Sequence, residues 1–152
     1  MHNFVVIFTG GTGGHVLPSV SFGNYLIDNG YKCMLVTDLR GQKYTNQFKG
    51  EVKTIEASHL TGGLFFKIVG LVKLLIGFCQ SFVFLLKLRP HIALSFGSYA
   101  SLPPSFATKV LKKFIKLNFY IHEQNSIIGK SNKYFIKNAN KIFVNFEKDN
   151  KL

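Results

Sequence analysis

Phe8-Thr9-Gly10-Gly11-Thr12-Gly13-Gly14-His15-Val16 carries the residue types from which an anion site is built. Four glycines let the chain turn tightly and bring its N–H groups close to a ligand. The apolar run Phe4-Val5-Val6-Ile7-Phe8 before it reads as a strand. The segment after it reads as a helix, whose positive end points at the same spot. That combination suits a phosphate or diphosphate, with His15 facing it from the first helical turn. Two further stretches have the composition of ligand loops. Gly97-Ser98-Tyr99-Ala100-Ser101 permits a close backbone approach and offers Tyr99 and Ser101 as hydrogen-bond donors. His122-Glu123-Gln124-Asn125-Ser126 contains Asn125, whose amide both donates and accepts, as a sugar hydroxyl or an amide ligand requires.

Other chemistries fit less well. In a dinucleotide site Gly11 and Gly13 would match the first two glycines, with Asp38 placed for the ribose, but Val16 occupies the third glycine position. A branched side chain there obstructs close helix–strand packing. No Gly-Lys-Ser/Thr follows the loop, which argues against a nucleoside-triphosphate P-loop. No Cys/His cluster has metal spacing, and no pattern suggests an activated serine or thiol.

The elements that must position these loops alternate. Strands are predicted at Asn3–Thr9, Tyr31–Thr37, Glu51–Glu56, His91–Phe96, Leu117–His122 and Lys141–Phe146. Helices are predicted at Leu17–Asn29, closed by Gly30, at Leu64–Leu88, stopped before Pro90, at Pro103–Lys113 and at Ile128–Asn138, with a polar loop over Asp38–Gly50. Such alternation implies an α/β fold, a doubly wound parallel sheet with helices on both faces. Ligands of such sheets bind beyond the C-terminal ends of the strands, where all three loops fall.

The 152 residues are 47% hydrophobic and 17% charged, which suits one folded domain rather than a disordered chain. The net charge of +12 is carried by 17 Lys and only 2 Arg. Nucleic-acid readers lean on Arg, so no nucleic-acid partner is expected. Cys33 and Cys79 sit in apolar runs and read as buried thiols of a reducing compartment, and no secretory signal is present.

The predicted helix at 64–88 has more apolar surface than packing on a sheet needs. Lys73, Gln80 and Lys87 form one narrow polar stripe; Phe65, Ile68, Leu75, Phe78 and Phe82 are among the apolar residues around it. Lysines at 67 and 73 argue against a full span, so the helix is expected to pack on the sheet and dip its outer face into the membrane interface. Lys109, Lys112, Lys113 and Lys116 recur at helical spacing opposite Val110, Leu111, Phe114 and Ile115, and Lys130, Lys133 and Lys137 repeat the pattern. Together these favour an anionic membrane surface as a partner. A protein partner or a further domain is the competing explanation of the apolar face.

Taken in order, Gly10–Val16 with Pro18, Phe96–Ser101 with Pro103 and His122–Asn125 resemble the three signature loops of the MurG family. The resemblance covers almost the whole chain. It implies a Rossmann-like domain, the N-terminal half of a GT-B glycosyltransferase, peripheral on the cytoplasmic face of the bacterial inner membrane. Such enzymes transfer N-acetylglucosamine from UDP-GlcNAc to undecaprenyl-pyrophosphoryl-MurNAc-pentapeptide, making lipid II, with no metal and no cofactor. By resemblance, Thr12, Gly13, Gly14 and Asn125 contact the sugar nucleotide, and His15 assists the acceptor hydroxyl or its diphosphate. Gly11, His15, Gly97, Ser98, Tyr99 and Ser101 would hold the lipid diphosphate. Ser98 departs from the family, which usually has a second Gly there. The family also continues into a second doubly wound domain that binds uridine, which residues 1–152 do not contain. Residues 1–152 are therefore expected to be an acceptor- and membrane-binding domain, completed in cis or in trans and inactive alone. The alternatives are a non-catalytic acceptor-binding or docking module and one subunit of a split transferase, with Glu123 a second candidate base.

Overall fold

Phe4–Phe8 form β1, in which every residue is buried, as a central parallel strand covered on both faces requires. The computed structural model describes residues 4–146, so the predicted strand residue Asn3 lies outside it. Along the chain follow α1 (Gly13–Asp28), β2 (Lys32–Thr37), α2 (Leu39–Gln42), β3 (Glu51–Thr54) and α3 (Leu64–Leu88). Then come β4 (Ile92–Ser95), α4 (Leu102–Leu111), β5 (Asn118–Glu123), α5 (Lys130–Lys133) and β6 (Lys141–Val144). The six strands make one sheet in the order β3-β2-β1-β4-β5-β6, and every pairing is parallel. This is the predicted doubly wound sheet.

Alternate strand residues feed two cores. Val5, Ile7, Cys33, Leu35 and Leu94 pack with Val16 and Val20 of α1. Val6, Phe8, Val36, Ala93, Phe119 and Ile121 pack with Phe84 and Leu85 of α3 and Ala107 and Leu111 of α4. Strand order reverses between β1 and β4, so the crevice for a ligand opens above their carboxyl ends.

Several elements differ from expectation. The polar loop at 38–50 contains the one-turn α2, because Asp38 caps it by accepting from Gly41 N–H. The predicted helix at 128–138 is instead the single turn α5 followed by a 3₁₀ turn at Ile136–Asn138. Ser and Asn disfavour a helix interior, and Asn132 is drawn into the fold by its hydrogen bonds to Glu123 and His122. Cys79 is exposed, whereas Cys33 is buried and its thiol is pushed up to about 11 by burial. The α4 helix ends at Leu111, before Lys113 and Lys116. Lys112 Nζ donates to the Asn138 carbonyl at 2.7 Å, tying the chain ahead of β6. Of the apolar residues expected opposite the lysines, Leu111 is buried and Ile115 packs against the core, while Val110 and Phe114 are exposed.

On α3 the buried residues are Gly70, Gly77, Ser81, Phe84 and Leu85. Phe78 and Phe82 pack against the core, which removes them from the outward face, while Phe65, Ile68 and Leu75 remain exposed. The polar stripe does not meet solvent alone. Gln80 Oε1 accepts from Glu56 N–H at 2.9 Å, and Lys73 pairs with the Glu56 carboxylate at 3.5 Å. Small residues let the loop after β3 lie this close. A Cβ on Gly77 would collide with the Glu56 carbonyl oxygen, and one on Gly70 would lie 2.9 Å from the His59 carbonyl. Gly77→Ala is therefore expected to lose about 1–3 kcal/mol in urea unfolding through overpacking. Gly63→Ala, with open space around it, should change stability by less than about 0.5 kcal/mol. Equal curves for the two variants would refute the close crossing.

Candidate functional site

The three loops meet. A cavity of about 760 Å³ above the β1–β4 crevice is lined by Gly10, Gly11, Thr12 and His15 from the first loop. Gly97, Ser98, Tyr99 and Ala100 line it from the second, and Glu123 and Asn125 from the third. Two glycines allow the meeting. A Cβ on Gly10 would lie 2.5 Å from Ala100 Cβ, and one on Gly97 would lie 3.2 Å from Asn132 Nδ2. Both have positive φ, at 155° and 85°, which L side chains rarely adopt.

Within the first loop the N–H groups divide. Gly11 N–H donates to Asp38 Oδ1 at 2.8 Å and Thr12 N–H to the Gly10 carbonyl at 3.0 Å. Asp38 is thus a clamp joining the glycine loop to α2, not a ribose ligand. The N–H groups of Gly13 and Gly14 open α1 without intrahelical partners, and the Thr12 hydroxyl makes no capping bond. These are the groups left for an anion.

His15 Nδ1 lies 3.0 Å from the Phe96 carbonyl at the end of β4. A carbonyl only accepts, so the neutral ring carries its proton on Nδ1 and keeps a lone pair on Nε2. The Gln124 amide abuts the same nitrogen, and its Oε1 is otherwise buried without a partner. The amide nitrogen of Gln124 also donates to the Gly14 carbonyl at 3.2 Å, so the third loop is anchored at the start of α1 beside the His15 ring. His15 is thereby held by the strand beneath it and by the third loop, with both contacts made at Nδ1 and none at Nε2 among the described residues.

Glu123 is 1% exposed and organises the third loop. Its carboxylate accepts from Gly129 N–H at 2.9 Å, Asn132 Nδ2 at 3.0 Å, Asn125 Nδ2 at 2.9 Å and Asn125 N–H at 3.1 Å. Burial alone would raise its pKa, but these hydrogen bonds outweigh burial and hold it below the ordinary value. A carboxylate so satisfied is a poor base, which leaves His15 as the candidate. Asn125 engages Glu123 through its nitrogen, so its Oδ1 is the group available to a ligand. Burial lowers His122 despite the opposing Glu123 charge, and its ring stacks on Phe96 at 4.5 Å.

Of the predicted ligand residues, Ser101 turns inward. It is 1% exposed and its hydroxyl donates to the Ser98 carbonyl at 2.8 Å. Ser98 stands at φ 77°, ψ 166°, a conformation that favours glycine, and its Oγ accepts from Ala100 N–H. Its side chain offsets the strain by capping the turn. Gly13 and Gly14 contribute backbone at the start of α1 rather than a cavity wall.

The pattern of the glycosyltransferase family 28 N-terminal domain matches residues 5–144. The chain belongs to this family. It is 35% identical over 144 residues to the UDP-N-acetylglucosamine–N-acetylmuramyl-(pentapeptide) pyrophosphoryl-undecaprenol N-acetylglucosamine transferase of Rickettsia rickettsii strain Sheila Smith, covering 95% of this chain and 36% of that protein. The like-named protein of Rickettsia felis is 36% identical over 143 residues, covering 94% and 38%. The chain thus spans little more than a third of the curated relatives it matches. The crystal structure of Acinetobacter baumannii MurG superposes with a TM-score of 0.83 at 21% identity, over 99% of this chain and 43% of that one. The fold is accordingly that of a GT-B N-terminal domain.

Family 28 motifs pointed to the three loops but not to the fourth wall of the cavity. Ile55 to His59 and Thr61, after β3, line it together with Phe66, Val69 and Lys73 of α3. Their residue types carry no chemical signature in sequence. Only the glycine spacing of α3, Gly70 and Gly77, hints at a backbone crossing there.

Proposed function

We propose that this chain is the acceptor-side half of an inverting N-acetylglucosaminyltransferase. The donor is UDP-GlcNAc and the acceptor undecaprenyl-pyrophosphoryl-MurNAc-pentapeptide, giving lipid II for peptidoglycan. The observation that carries this is the convergence of His15, the start of α1 and Asn125 on one cavity at the sheet's switch point. In the reaction, His15 Nε2 takes the proton of the attacking sugar hydroxyl as it displaces UDP at the anomeric carbon. The N–H groups of Gly13 and Gly14, with Thr12, hold anionic oxygens. Asn125 Oδ1 accepts from a hydroxyl of the transferred sugar. Gly11, Gly97, Ser98 and Tyr99 shape the diphosphate pocket, and Ser101 supports it from behind. Uridine is bound by a second domain, supplied in cis or in trans.

The exposed face of α3 around Phe65, Ile68 and Leu75, with Lys109, Lys113 and Lys116 beyond it, docks on the cytoplasmic leaflet of the inner membrane. The helix has the length and hydropathy of a span, with a mean hydropathy of 2.2. Its inner side nevertheless packs on the sheet, so interfacial seating fits better than crossing. The test combines this chain with a UDP-sugar-binding domain of a relative and follows radiolabelled GlcNAc transfer to the lipid acceptor on anionic vesicles. Transfer that needs both parts supports the reading. If the chain binds the acceptor but yields no transfer with any such domain, it is a docking module instead.

A further inference from the structure

Pro18 lies inside α1. In an α-helix the carbonyl of Gly14 accepts from the N–H four residues on, and Pro18, at that place, has none. The Gly14 carbonyl is thus left open beside His15. The donor that fills it is separated from it by 110 residues and comes from across the site. Gln124 Nε2 lies 3.2 Å from the Gly14 oxygen and abuts His15 Nδ1. Among the described residues, these are the hydrogen bonds that join the third loop to the first. The Glu123 carboxylate holds Asn125, Gly129 and Asn132, which shapes the third loop, but none of those bonds reaches α1.

We infer that Gln124 is a positioning residue: by supplying the donor that Pro18 removes from α1, it fixes the third loop against His15. This rests on, and deepens, the transferase reading given above. In that reading His15 meets the acceptor hydroxyl and Asn125 a hydroxyl of the transferred sugar, so different loops hold the two substrates. Their relative placement depends on what joins the loops. A displacement of about 1 Å between reacting groups can cost about 10²-fold in rate. Pro18 serves the same end, because an N–H at that position would satisfy the Gly14 carbonyl within α1 and remove the need for a donor from the third loop. Glutamine suits the role by its amide: a glutamate of the same length would bring no donor to the carbonyl.

The test crosses Gln124→Met, which keeps the length of the side chain without its donor, with Pro18→Ala, which gives Gly14 a donor inside α1. Urea unfolding of this chain reads the bond. Radiolabelled GlcNAc transfer by the chain assembled with a UDP-sugar-binding domain reads the placement. With Pro18 in place, Gln124→Met should reduce the folding equilibrium constant about fivefold. It should also lower kcat by about 10–100-fold, with the KM of either substrate little changed. In the Pro18→Ala background the stability loss should disappear while the kcat loss persists, because the helix then satisfies itself but the third loop stays untied. A kcat that recovers together with stability, or one that Gln124→Met never lowers, would overturn the positioning role. Equal stability losses in the two backgrounds would overturn the link to Pro18. If the wild-type assembly transfers nothing, the transferase reading and the positioning role fall together, while the urea cycle on this chain still decides the Gly14 bond.

Discussion

Replacing His15 by alanine is expected to lower kcat for GlcNAc transfer by about 10²–10⁴-fold in the enzyme assembled from this chain and a UDP-sugar-binding domain. The structural cost is small: one hydrogen bond to the Phe96 carbonyl, about 1 kcal/mol. Thermal unfolding should therefore separate lost chemistry from lost fold. The size of the effect follows from how the ring is held. Phe96 fixes the proton on Nδ1, so Nε2 meets the acceptor hydroxyl as a lone pair with no reorientation to make. If instead kcat holds and only the acceptor KM rises, His15 binds the diphosphate and another group takes the proton. If neither changes, His15 has no part in the reaction.

The sheet was legible because its strands are short apolar runs between longer segments, and parallel strands buried on both faces must read that way. The glycine loop was legible for a related reason: Gly10 stands where another loop leaves no room for a Cβ, and a Cβ on Gly97 would crowd the Asn132 side chain. Four things were not. The clamp made by Asp38 was hidden, because sequence cannot tell a carboxylate facing a ligand from one turned onto Gly11 and Gly41 N–H. Cys79 and Phe78 lie one residue apart in one apolar run, yet only Phe78 packs on the core. The apolar excess of α3 made the inward arc impossible to assign by hydrophobicity; small residues mark it instead. The helix expected at 128–138 failed because a long-range partner, Glu123, competes for Asn132.

Glu123 provides the largest expected effect on stability. Glu123→Ala removes the acceptor of four hydrogen bonds. Asn125 is exposed and recovers its bonds from water, but the Asn132 amide is buried and Gly129 N–H lies in the loop it anchors. Orphaning these two donors should cost about 2–5 kcal/mol. Asn125 would lose its position at the cavity, so transfer should fall even at temperatures where the variant remains folded. The pH dependence gives a separate check. The carboxyl is held below its ordinary value of 4.5 in the folded chain, so the folded state binds its proton less readily than the unfolded one. Its contribution is complete above pH 4.5 and is lost as pH falls through the lower folded value. Urea unfolding of the wild type should therefore weaken more steeply on acidification below that point than unfolding of Glu123→Gln, which has no proton to gain there. Parallel acid limbs for the two proteins would mean that the Glu123 charge does not hold the third loop, and that another contact places Asn125 beside His15.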